Sequence, residues 1–280
     1  MVLTAVASML VLGVLFGFGL SIAARRLRVA EDPRIERALA ALPGVNCGAC
    51  GFSGCRGYAE AIVGGEKVTL CTAGGPGAAA VLAELMGVEV DATVRRRAVV
   101  HCRGGADCCG DAFDYVGEPD CRAAQLIGGG PKSCAYGCLG FGTCASVCPY
   151  GAITMSEQRL PVIDADKCTA CGLCVRACPR RILSLLPVHY TTYLGCASRE
   201  RGKTVKAVCS VGCIGCGLCA RKDPNGAIEM VDNLPVLDFE KAGGDFSAAA
   251  EVCPTHSYVV EAHAVAPADA GPAERQVQPV

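Results

Sequence analysis

Residues 168–179 read CTACGLCVRACP, and this run decides which fold the chain is expected to adopt. Its cysteines, Cys168, Cys171, Cys174 and Cys178, have the Cys-x2-Cys-x2-Cys-x3-Cys-Pro spacing that holds [4Fe–4S] clusters. Soft thiolates suit iron, and the glycine-containing loop lets backbone N–H groups approach the cluster sulfurs. A structural zinc site is the alternative, but zinc does not require the terminal Cys-Pro. The run therefore predicts an iron–sulfur module.

A second run lies upstream, at residues 138–149 (CLGFGTCASVCP), and completes the pattern of a bacterial two-cluster ferredoxin. In such ferredoxins each run gives three thiolates to one cluster and its last cysteine to the other. Phe141 stands where the second ligand of this run is expected, and Cys134 is the obvious substitute. We therefore expect one cluster on Cys134, Cys138, Cys144 and Cys178, and a second on Cys148, Cys168, Cys171 and Cys174. A three-iron or labile cluster beside Phe141 is the alternative.

The cysteine pattern is duplicated with an offset of 75 residues. Cys134, Cys138 and Cys144 recur as Cys209, Cys213 and Cys219, and Cys178-Pro179 recurs as Cys253-Pro254. The strand candidates AITM and LPVID, at residues 152–155 and 160–164, have counterparts in AIEM and LPVLD, at residues 227–230 and 234–238. Each repeat is therefore predicted to be a small α+β unit.

The second repeat keeps one of the two ligand sets. Asp223 occupies the fourth ligand position of its first run, and the second run has decayed to KAGGDFSAAAEVCP, which retains only Cys253. Cross-ligation predicts that the loss of one cluster removes four ligands and spares the other four. The surviving cysteines, which predict a single [4Fe–4S] cluster, are Cys213, Cys216, Cys219 and Cys253.

A separate four-cysteine group precedes the repeats. Cys47, Cys50, Cys55 and Cys71 have the spacing Cys-x2-Cys-x4-Cys-x15-Cys, and glycines at positions 48, 51 and 54 allow the backbone to close on a bound group. Zinc sites tolerate this spacing as well. The neighbouring ferredoxin-type runs favour a further cluster here, which brings the expected number to about four per chain.

Six of the 22 cysteines have no assigned role: Cys102, Cys108, Cys109, Cys121, Cys196 and Cys209. Another site can be formed by Cys102, Cys121 and one of Cys108 and Cys109, with or without Cys134. If Cys134 belongs to that site, three ligands remain beside Phe141. Buried structural thiols are the alternative. His101, next to Cys102, is a further candidate ligand because imidazole binds iron in some clusters.

The chain begins with an apolar segment of 23 uncharged residues, Val2 to Ala24. As a helix this segment is about 35 Å long, enough to cross the hydrocarbon core of a bilayer. A cleaved signal peptide is the alternative, but no basic residue precedes the apolar run. Because Arg25, Arg26 and Arg28 follow it, the positive-inside rule predicts a single-pass anchor in the cytoplasmic membrane with the cysteine modules on the cytoplasmic side. Thiols stay reduced in that compartment, which disfavours disulfides.

Composition and motifs exclude several functions. The 26 Lys and Arg residues balance 27 Asp and Glu residues, so the basic surface of a nucleic-acid-binding protein is not expected. No G-x-G-x-x-G fingerprint follows a strand, so direct NAD binding is not expected. Aromatic residues make up 5% of the chain and Trp is absent, so metal ligation is expected to replace a large apolar core.

These features predict an α+β fold class with one N-terminal transmembrane helix and small iron–sulfur modules, among them duplicated ferredoxin-like units. Five segments are expected. Residues 1–28 are the anchor, 29–98 the membrane-proximal four-cysteine module, 99–187 a two-cluster ferredoxin-like repeat, 188–260 a degenerate repeat with one cluster, and 261–280 a disordered tail.

The anchor followed by GVNCGACGFSGC, with the runs GGPKSCAYGCLGFGTCASVCPYGAI and CTACGLCVRACP, resembles the B subunits of the Rnf complex, the membrane-bound ferredoxin:NAD oxidoreductase. The resemblance covers most of the chain up to residue 260. It implies an electron-relay protein of an ion-translocating oxidoreductase, without a catalytic site of its own. Such a protein takes electrons from reduced soluble ferredoxin and passes them through its clusters to the other subunits in the membrane. The resemblance also implies that NAD is reduced elsewhere in the complex.

Two other functions fit the same motifs. A related complex that keeps a redox regulator reduced would share every motif and differ only in its partners. A zinc-binding assembly module belongs to a different functional class, and metal content and redox activity distinguish it from a relay.

Basic residues near the cysteine runs are a candidate docking surface for an acidic ferredoxin, since complementary charge speeds weak redox encounters. An ordinary solvated surface is the alternative. These residues are Arg176, Arg180, Arg181, Arg199, Arg201, Lys203 and Lys206.

Overall fold

The computed structural model describes residues 2–26, 32–89 and 94–261. The first element, α1, is a helix at Val2–Arg26. Those of its apolar side chains that the structure describes are exposed, with Leu10, Phe16 and Leu20 at 64%, 68% and 70%. Among the described residues it is the one helix that is long and apolar enough to cross a membrane. A helix that is apolar on all sides is suited to a lipid environment.

Three helices form the module around the first cysteine group: α2 (Pro33–Ala41), α3 (Cys55–Val63) and α4 (Gly75–Met86). Asp32 caps α2 by accepting the N–H of Arg34, and Pro33 occupies the first turn, where its missing N–H costs nothing. The helices bury Tyr58, Ile62 and Leu82 against one another.

From residue 94 onward the described chain folds into four two-stranded antiparallel sheets joined by short helices. The strands are β1 (Arg96–Val100), β2 (Ile153–Met155), β3 (Pro161–Ile163), β4 (Leu183–Pro187), β5 (Thr192–Leu194), β6 (Ile228–Val231), β7 (Leu234–Leu237) and β8 (Tyr258–Val260). The helices are α5 (Cys121–Leu126), α6 (Thr143–Ser146), α7 (Leu173–Ala177), α8 (Gly202–Val208), α9 (Leu218–Lys222) and α10 (Ser247–Glu251).

The sheet pairing is the same in both repeats. Strands β2 and β3 form one hairpin and β6 and β7 another, so the strands predicted from AITM, LPVID, AIEM and LPVLD are confirmed. The other two sheets join distant segments: Val100 lies opposite Leu183, and Leu194 lies opposite Tyr258. Since Leu183 and Tyr258 are 75 residues apart, β5 occupies in the second repeat the place that β1 occupies in the first.

Two segment boundaries differ from those predicted. Strand β1 begins at Arg96 and pairs with β4, so it lies with the repeat that was expected to start at residue 99. Glu261, expected to open the disordered tail, forms an ion pair with the buried Arg97 and accepts the hydroxyl of Tyr193 at 2.9 Å. The remainder of the predicted tail, residues 262–280, lies outside the described residues.

Sheets of two strands are marginal in water unless something else holds them together. The buried clusters around them combine apolar side chains with cysteines, such as Cys144 and Cys174 near β2 and β4 and Cys219 near β6. Thiols therefore lie within the packing of both repeats, which places their chemistry inside the fold.

Candidate metal centres

The first cysteine group converges on one hollow, which we call site 1. Cys47, Cys50, Cys55 and Cys71 all line a space of about 320 Å³. Asn46, with a left-handed φ of 52°, accepts the N–H of Cys55 at 2.8 Å and so closes the loop onto the start of α3.

The hydroxyl of Tyr58 holds the chain that leads to the last thiol of site 1. It donates to the carbonyl of Lys67 at 2.8 Å and accepts the N–H of Leu70 at 3.1 Å. The N–H of Gly74 then donates to Cys71 Sγ at 3.3 Å. Burial raises the pKa of the Cys71 thiol, so in the absence of a cation this sulfur favours its protonated form.

Site 2 consists of the cysteines that the second cluster of the ferredoxin pattern requires. Cys148, Cys168, Cys171 and Cys174 line one hollow of about 320 Å³. The N–H of Ala98 in β1 donates to Cys168 Sγ at 3.4 Å. Burial raises the pKa of Cys174 to about 12. Thiolates gathered around one space repel each other unless a cation binds between them.

Short helices present the third thiol of each ferredoxin-type run. Each of α6, α7 and α9 opens with a glycine in the left-handed region, which residues with a Cβ rarely adopt. These glycines are Gly142, Gly172 and Gly217, with φ values of 75°, 70° and 67°. The cysteine two residues later is thereby turned inward within the first turn of the helix, as Cys174 is at site 2.

Site 3 differs from the predicted ligand set at one position. The hollow of about 380 Å³ is lined by Cys121, Cys138, Cys144 and Cys178, and Cys134 does not line it. The structure therefore places Cys121, and not the predicted Cys134, beside these three thiols. Cys121, which the sequence left unassigned, takes its place.

A hydrogen-bonded link between two helices explains why Cys121 reaches site 3. Asp120 caps α5 and also accepts the hydroxyl of Thr143 at 2.7 Å. The same hydroxyl oxygen accepts the N–H of Cys121 at 2.8 Å, which fixes the start of α5 beside α6 and Cys144. These bonds, the one from Thr143 first, lower the pKa of Asp120. The cap followed by CRAAQL was the local signal for a helix starting at Cys121.

Phe141, which replaces the expected ligand, fills space beside site 3. Its ring lies 5.2 Å from the ring of Tyr115, and it packs against the buried cluster of Cys121, Ala124 and Leu139. With Cys121 present, site 3 has four thiols, so the alternative of a three-ligand site is not supported.

Replacing Cys121 tests this ligand set. Cys121→Ser is expected to cost about four irons per chain, or to leave a three-iron cluster, because one of four thiolates is lost. Cys108→Ser is the matched control, since Cys108 does not line the hollows of sites 1, 2 and 3. Iron and acid-labile sulfide per chain, with electron paramagnetic resonance (EPR) spectra, measure the effect. Iron and spectra unchanged in Cys121→Ser would contradict the assignment.

Site 4 consists of Cys213, Cys216, Cys219 and Cys253 in the second repeat. Burial raises the pKa of Cys213 to about 11, and the charges of the other three thiols act in the same direction, so the four lie close together. Burial opposes ionisation of Cys253, but donors on Ser257 and Thr255, including the Ser257 N–H at 3.3 Å, outweigh it and lower the pKa.

Asp223 explains how the second repeat closes without the missing cysteine. Its carboxylate accepts the N–H groups of Ala227 and Ile228 and, at 3.1 Å, that of Asn225. The side chain thus closes the turn that leads into β6. A carboxylate occupied in this way replaces a thiol without leaving an unpaired group.

The remaining cysteines and His101 have definite places. Cys102, Cys109, Cys134, Cys196 and Cys209 line a further hollow of about 370 Å³. His101 Nδ1 lies 2.7 Å from the carbonyl oxygen of Leu194, and Nε2 lies 2.7 Å from Ser184 Oγ. Burial lowers the pKa of His101. Both ring nitrogens are occupied, so the proposed role of His101 as an iron ligand is not supported.

The four thiols of sites 1, 2 and 3 each surround a hollow of about 320 to 380 Å³. A hollow with four thiols at its rim and N–H groups directed at the sulfurs suits a cubane cluster.

Comparisons with known proteins agree with this chemistry. Residues 42–73 match the FeS family model, described as an Fe-S cluster, and residues 133–182 match the 4Fe-4S dicluster domain. The chain is 42% identical over 232 residues to the B subunit of the Na(+)-translocating ferredoxin:NAD(+) oxidoreductase complex of Acetobacterium woodii. The match covers 82% of this chain and 70% of that protein.

Two further relatives are similar over more of their length. The B subunit of the proton-translocating ferredoxin:NAD(+) oxidoreductase complex of Clostridium ljungdahlii is 43% identical over 234 residues, 82% of each chain. The B subunit of the ion-translocating oxidoreductase complex of Methanosarcina acetivorans is 38% identical over 244 residues, 87% of this chain and 92% of that protein.

Proposed function

This chain belongs to the family of B subunits of ion-translocating oxidoreductase complexes, and we propose that it carries electrons from reduced ferredoxin to the membrane subunits of such a complex. The observation that carries the proposal is the succession of four-cysteine sites, of which sites 1 and 2 and sites 2 and 3 contact one another. The chain binds, orients and insulates the carriers, and has no substrate-transforming site of its own.

Each of sites 1 to 4 is proposed to hold one [4Fe–4S] cluster. The cluster supplies a centre that gains and loses one electron without large rearrangement. The protein sets its potential through the N–H···S hydrogen bonds and through burial. At site 2 the Ala98 N–H and at site 4 the Ser257 N–H stabilise the more negative, reduced form.

Sites 1 and 2 are in direct contact. Arg176, in the helix that carries Cys174, donates to the carbonyl of Cys47 at 2.9 Å. The charge of the Cys47 thiolate raises the pKa of Cys171, although burial of Cys171 is the larger cause. The charges of both thiolates also raise the pKa of the Tyr150 hydroxyl, again after burial. An electron on site 2 is therefore next to site 1.

Sites 2 and 3 share one buried cluster of side chains. Cys144 of site 3 and Cys174 of site 2 pack together with Ala98, Ile153 and Leu183. This is the cross-ligated arrangement of a two-cluster ferredoxin, in which Cys148 and Cys178 each serve the cluster of the other run. We propose that residues 96–187 and 188–261 are duplicated ferredoxin-like units, the second with a single cluster of its own.

The anchor sets the direction of the relay. Helix α1 is proposed to span the cytoplasmic membrane once, with Arg25 and Arg26 on the cytoplasmic side together with all the cysteine sites. Site 1 follows the anchor most closely in the chain, so electrons are proposed to leave from site 1 to other membrane subunits. NAD is proposed to be reduced on a different protein of the complex.

The ferredoxin is proposed to dock near α8, because several other basic residues of the predicted surface are already engaged. Arg176 and Arg180 donate to backbone carbonyls, and Arg199 lies 3.6 Å from Asp232. Arg201, Lys203 and Lys206 are exposed on or next to α8. Such a patch steers an acidic partner and loses its effect as salt is added.

Anaerobic mixing of the full chain in detergent with reduced ferredoxin tests the donor. Bleaching of the chain's clusters, one electron for each ferredoxin oxidised, is expected, and Lys203→Glu with Lys206→Glu should slow it at low salt far more than at high salt. Lys67→Glu, the same type of substitution at one position on the exposed surface of the first module, is the control. Ferredoxin that stays reduced beside oxidised clusters would overturn the proposed donor.

A further inference from the structure

Five cysteines outside sites 1 to 4 surround a hollow between the two repeats, which we call the bridging hollow. They are Cys102, Cys109, Cys134, Cys196 and Cys209. Its volume of about 370 Å³ matches the 320 to 380 Å³ of sites 1, 2 and 3. Cys102 and Cys134 come from the first repeat, and Cys196 and Cys209 from the second.

Gly104 shows how closely the thiols converge. A Cβ added to it would lie 3.0 Å from Cys209 Sγ, which is a crowded contact, and 3.9 Å from Cys102 Sγ, so both sulfurs lie close to this residue. Cys102 and Cys196 are each 9% exposed. Backbone N–H groups of Ser198 and Cys213 donate to Cys196, as N–H groups do to the thiols of sites 1, 2 and 4.

A buried cation lies at the same hollow. Lys132 lines it and is only 6% exposed, and no ion pair links it to a carboxylate within the part of the chain that the structure describes. Burial raises the pKa of Cys102, while the Lys132 ammonium acts in the opposite direction. A buried ammonium requires an anionic neighbour. Four thiolates around a cluster carry a net negative charge and supply one.

The repeat symmetry selects four ligands from the five cysteines. Cys134 and Cys209 are related by the 75-residue offset. Val100 in β1 and Leu194 in β5 occupy matching positions, because their strand partners are 75 residues apart. Cys102 lies two residues after Val100, and Cys196 lies two residues after Leu194. Cys109 has no cysteine counterpart at either of the two offsets, 75 or 94 residues, where Ser184 and Lys203 stand.

The bridging hollow lies in contact with the sites on either side. The N–H of Cys138, a site 3 thiol, donates to Cys102 Sγ at 3.4 Å. The N–H of Cys213, a site 4 thiol, donates to Cys196 Sγ at 3.3 Å. Within the described residues, site 4 otherwise has no such link to the other three sites.

We propose that the bridging hollow binds a fifth [4Fe–4S] cluster through Cys102, Cys134, Cys196 and Cys209 and thereby connects site 4 to site 3. The proposal rests on the proposed electron relay. With this cluster, the five sites form one continuous path in the order site 4, bridging hollow, site 3, site 2, site 1. Val205 of α8 lines the bridging hollow, so the proposed ferredoxin surface on α8 lies next to it.

Metal analysis of the full chain in detergent, purified without oxygen, tests the fifth cluster. About 20 irons and 20 sulfides per chain are expected, and Cys102→Ser with Cys134→Ser should lower both by about four. Cys108→Ser and Cys109→Ser are matched controls that should keep about 20. Lys132→Gln should lower the midpoint potential of one cluster in an EPR-monitored titration, because the lost positive charge had favoured the reduced state.

Each outcome has a distinct meaning. About 16 irons in the unaltered chain, with no further loss in the double variant, would overturn the fifth cluster and leave the relay through sites 1, 2 and 3 standing. Iron lost from Cys109→Ser but not from Cys196→Ser would overturn the ligand set. Zinc in place of iron throughout would overturn the relay itself. A double variant that fails to fold is recognised by loss of the site 1 and site 2 signals, and the Lys132→Gln titration then decides.

Discussion

Removal of iron from the reduced chain is expected to unfold the two repeats that follow the α2–α4 module. A strong iron chelator should abolish much of the far-ultraviolet circular dichroism that does not come from α1, and most amides from residue 94 onward should exchange with solvent. The four sheets have two strands each, which is marginal without further support, and cysteines are part of the buried clusters around them. Without metal, those thiols have no partner to organise them.

The α2–α4 module is the internal comparison for this prediction. It buries Tyr58, Ile62 and Leu82 in a conventional apolar core and is expected to retain more protection than the two repeats. Restoring iron and sulfide should return the spectrum. A well-dispersed, protected iron-free chain would contradict the view that clusters take the place of the core.

Loss of the site 2 cluster is expected to stop electron transfer through the chain. Cys171→Ser removes a buried thiolate from the site that lies between site 1 and the rest of the path. Iron should fall by about four per chain. In the assembled complex, ferredoxin-dependent NAD reduction should fall to background, while ferredoxin still reduces clusters in sites 3 and 4.

Cys108→Ser in the same complex is the control and should keep the unaltered rate. Reduction of sites 3 and 4 by ferredoxin, seen by EPR, shows that the Cys171→Ser chain has folded. A variant that has lost the site 2 signal and yet reduces NAD at the unaltered rate would show that electrons bypass site 2. A linear relay would then be wrong.

Local spacing predicted those elements whose partners lie close in the sequence. The run at 168–179, with Cys148, foresaw the thiols that line site 2, and the repeated hairpins and the apolar helix are where the pattern placed them. Gly172 and its equivalents belong to the predictable part, because each short helix needs one left-handed residue just before it, which is a local requirement.

Ligands supplied by tertiary contacts were not predictable in the same way. Cys134 is four residues from Cys138, yet Cys121 reaches site 3, because the Asp120–Thr143 link brings α5 to α6. The bridging hollow depends on how β1 and β5 lie side by side, as the Arg103 N–H donating to the carbonyl of Gly195 at 2.9 Å shows. Sequence spacing within one run carries no information about a contact between two repeats.

The most direct test of the electron relay is the content of iron, acid-labile sulfide and zinc in the anaerobically purified full chain, with EPR spectra before and after dithionite. The relay predicts iron and sulfide in equal amounts, about four of each for every occupied site, very little zinc, and signals that appear on reduction. Zinc bound in place of iron, with no signal on reduction, would contradict an electron-transfer role.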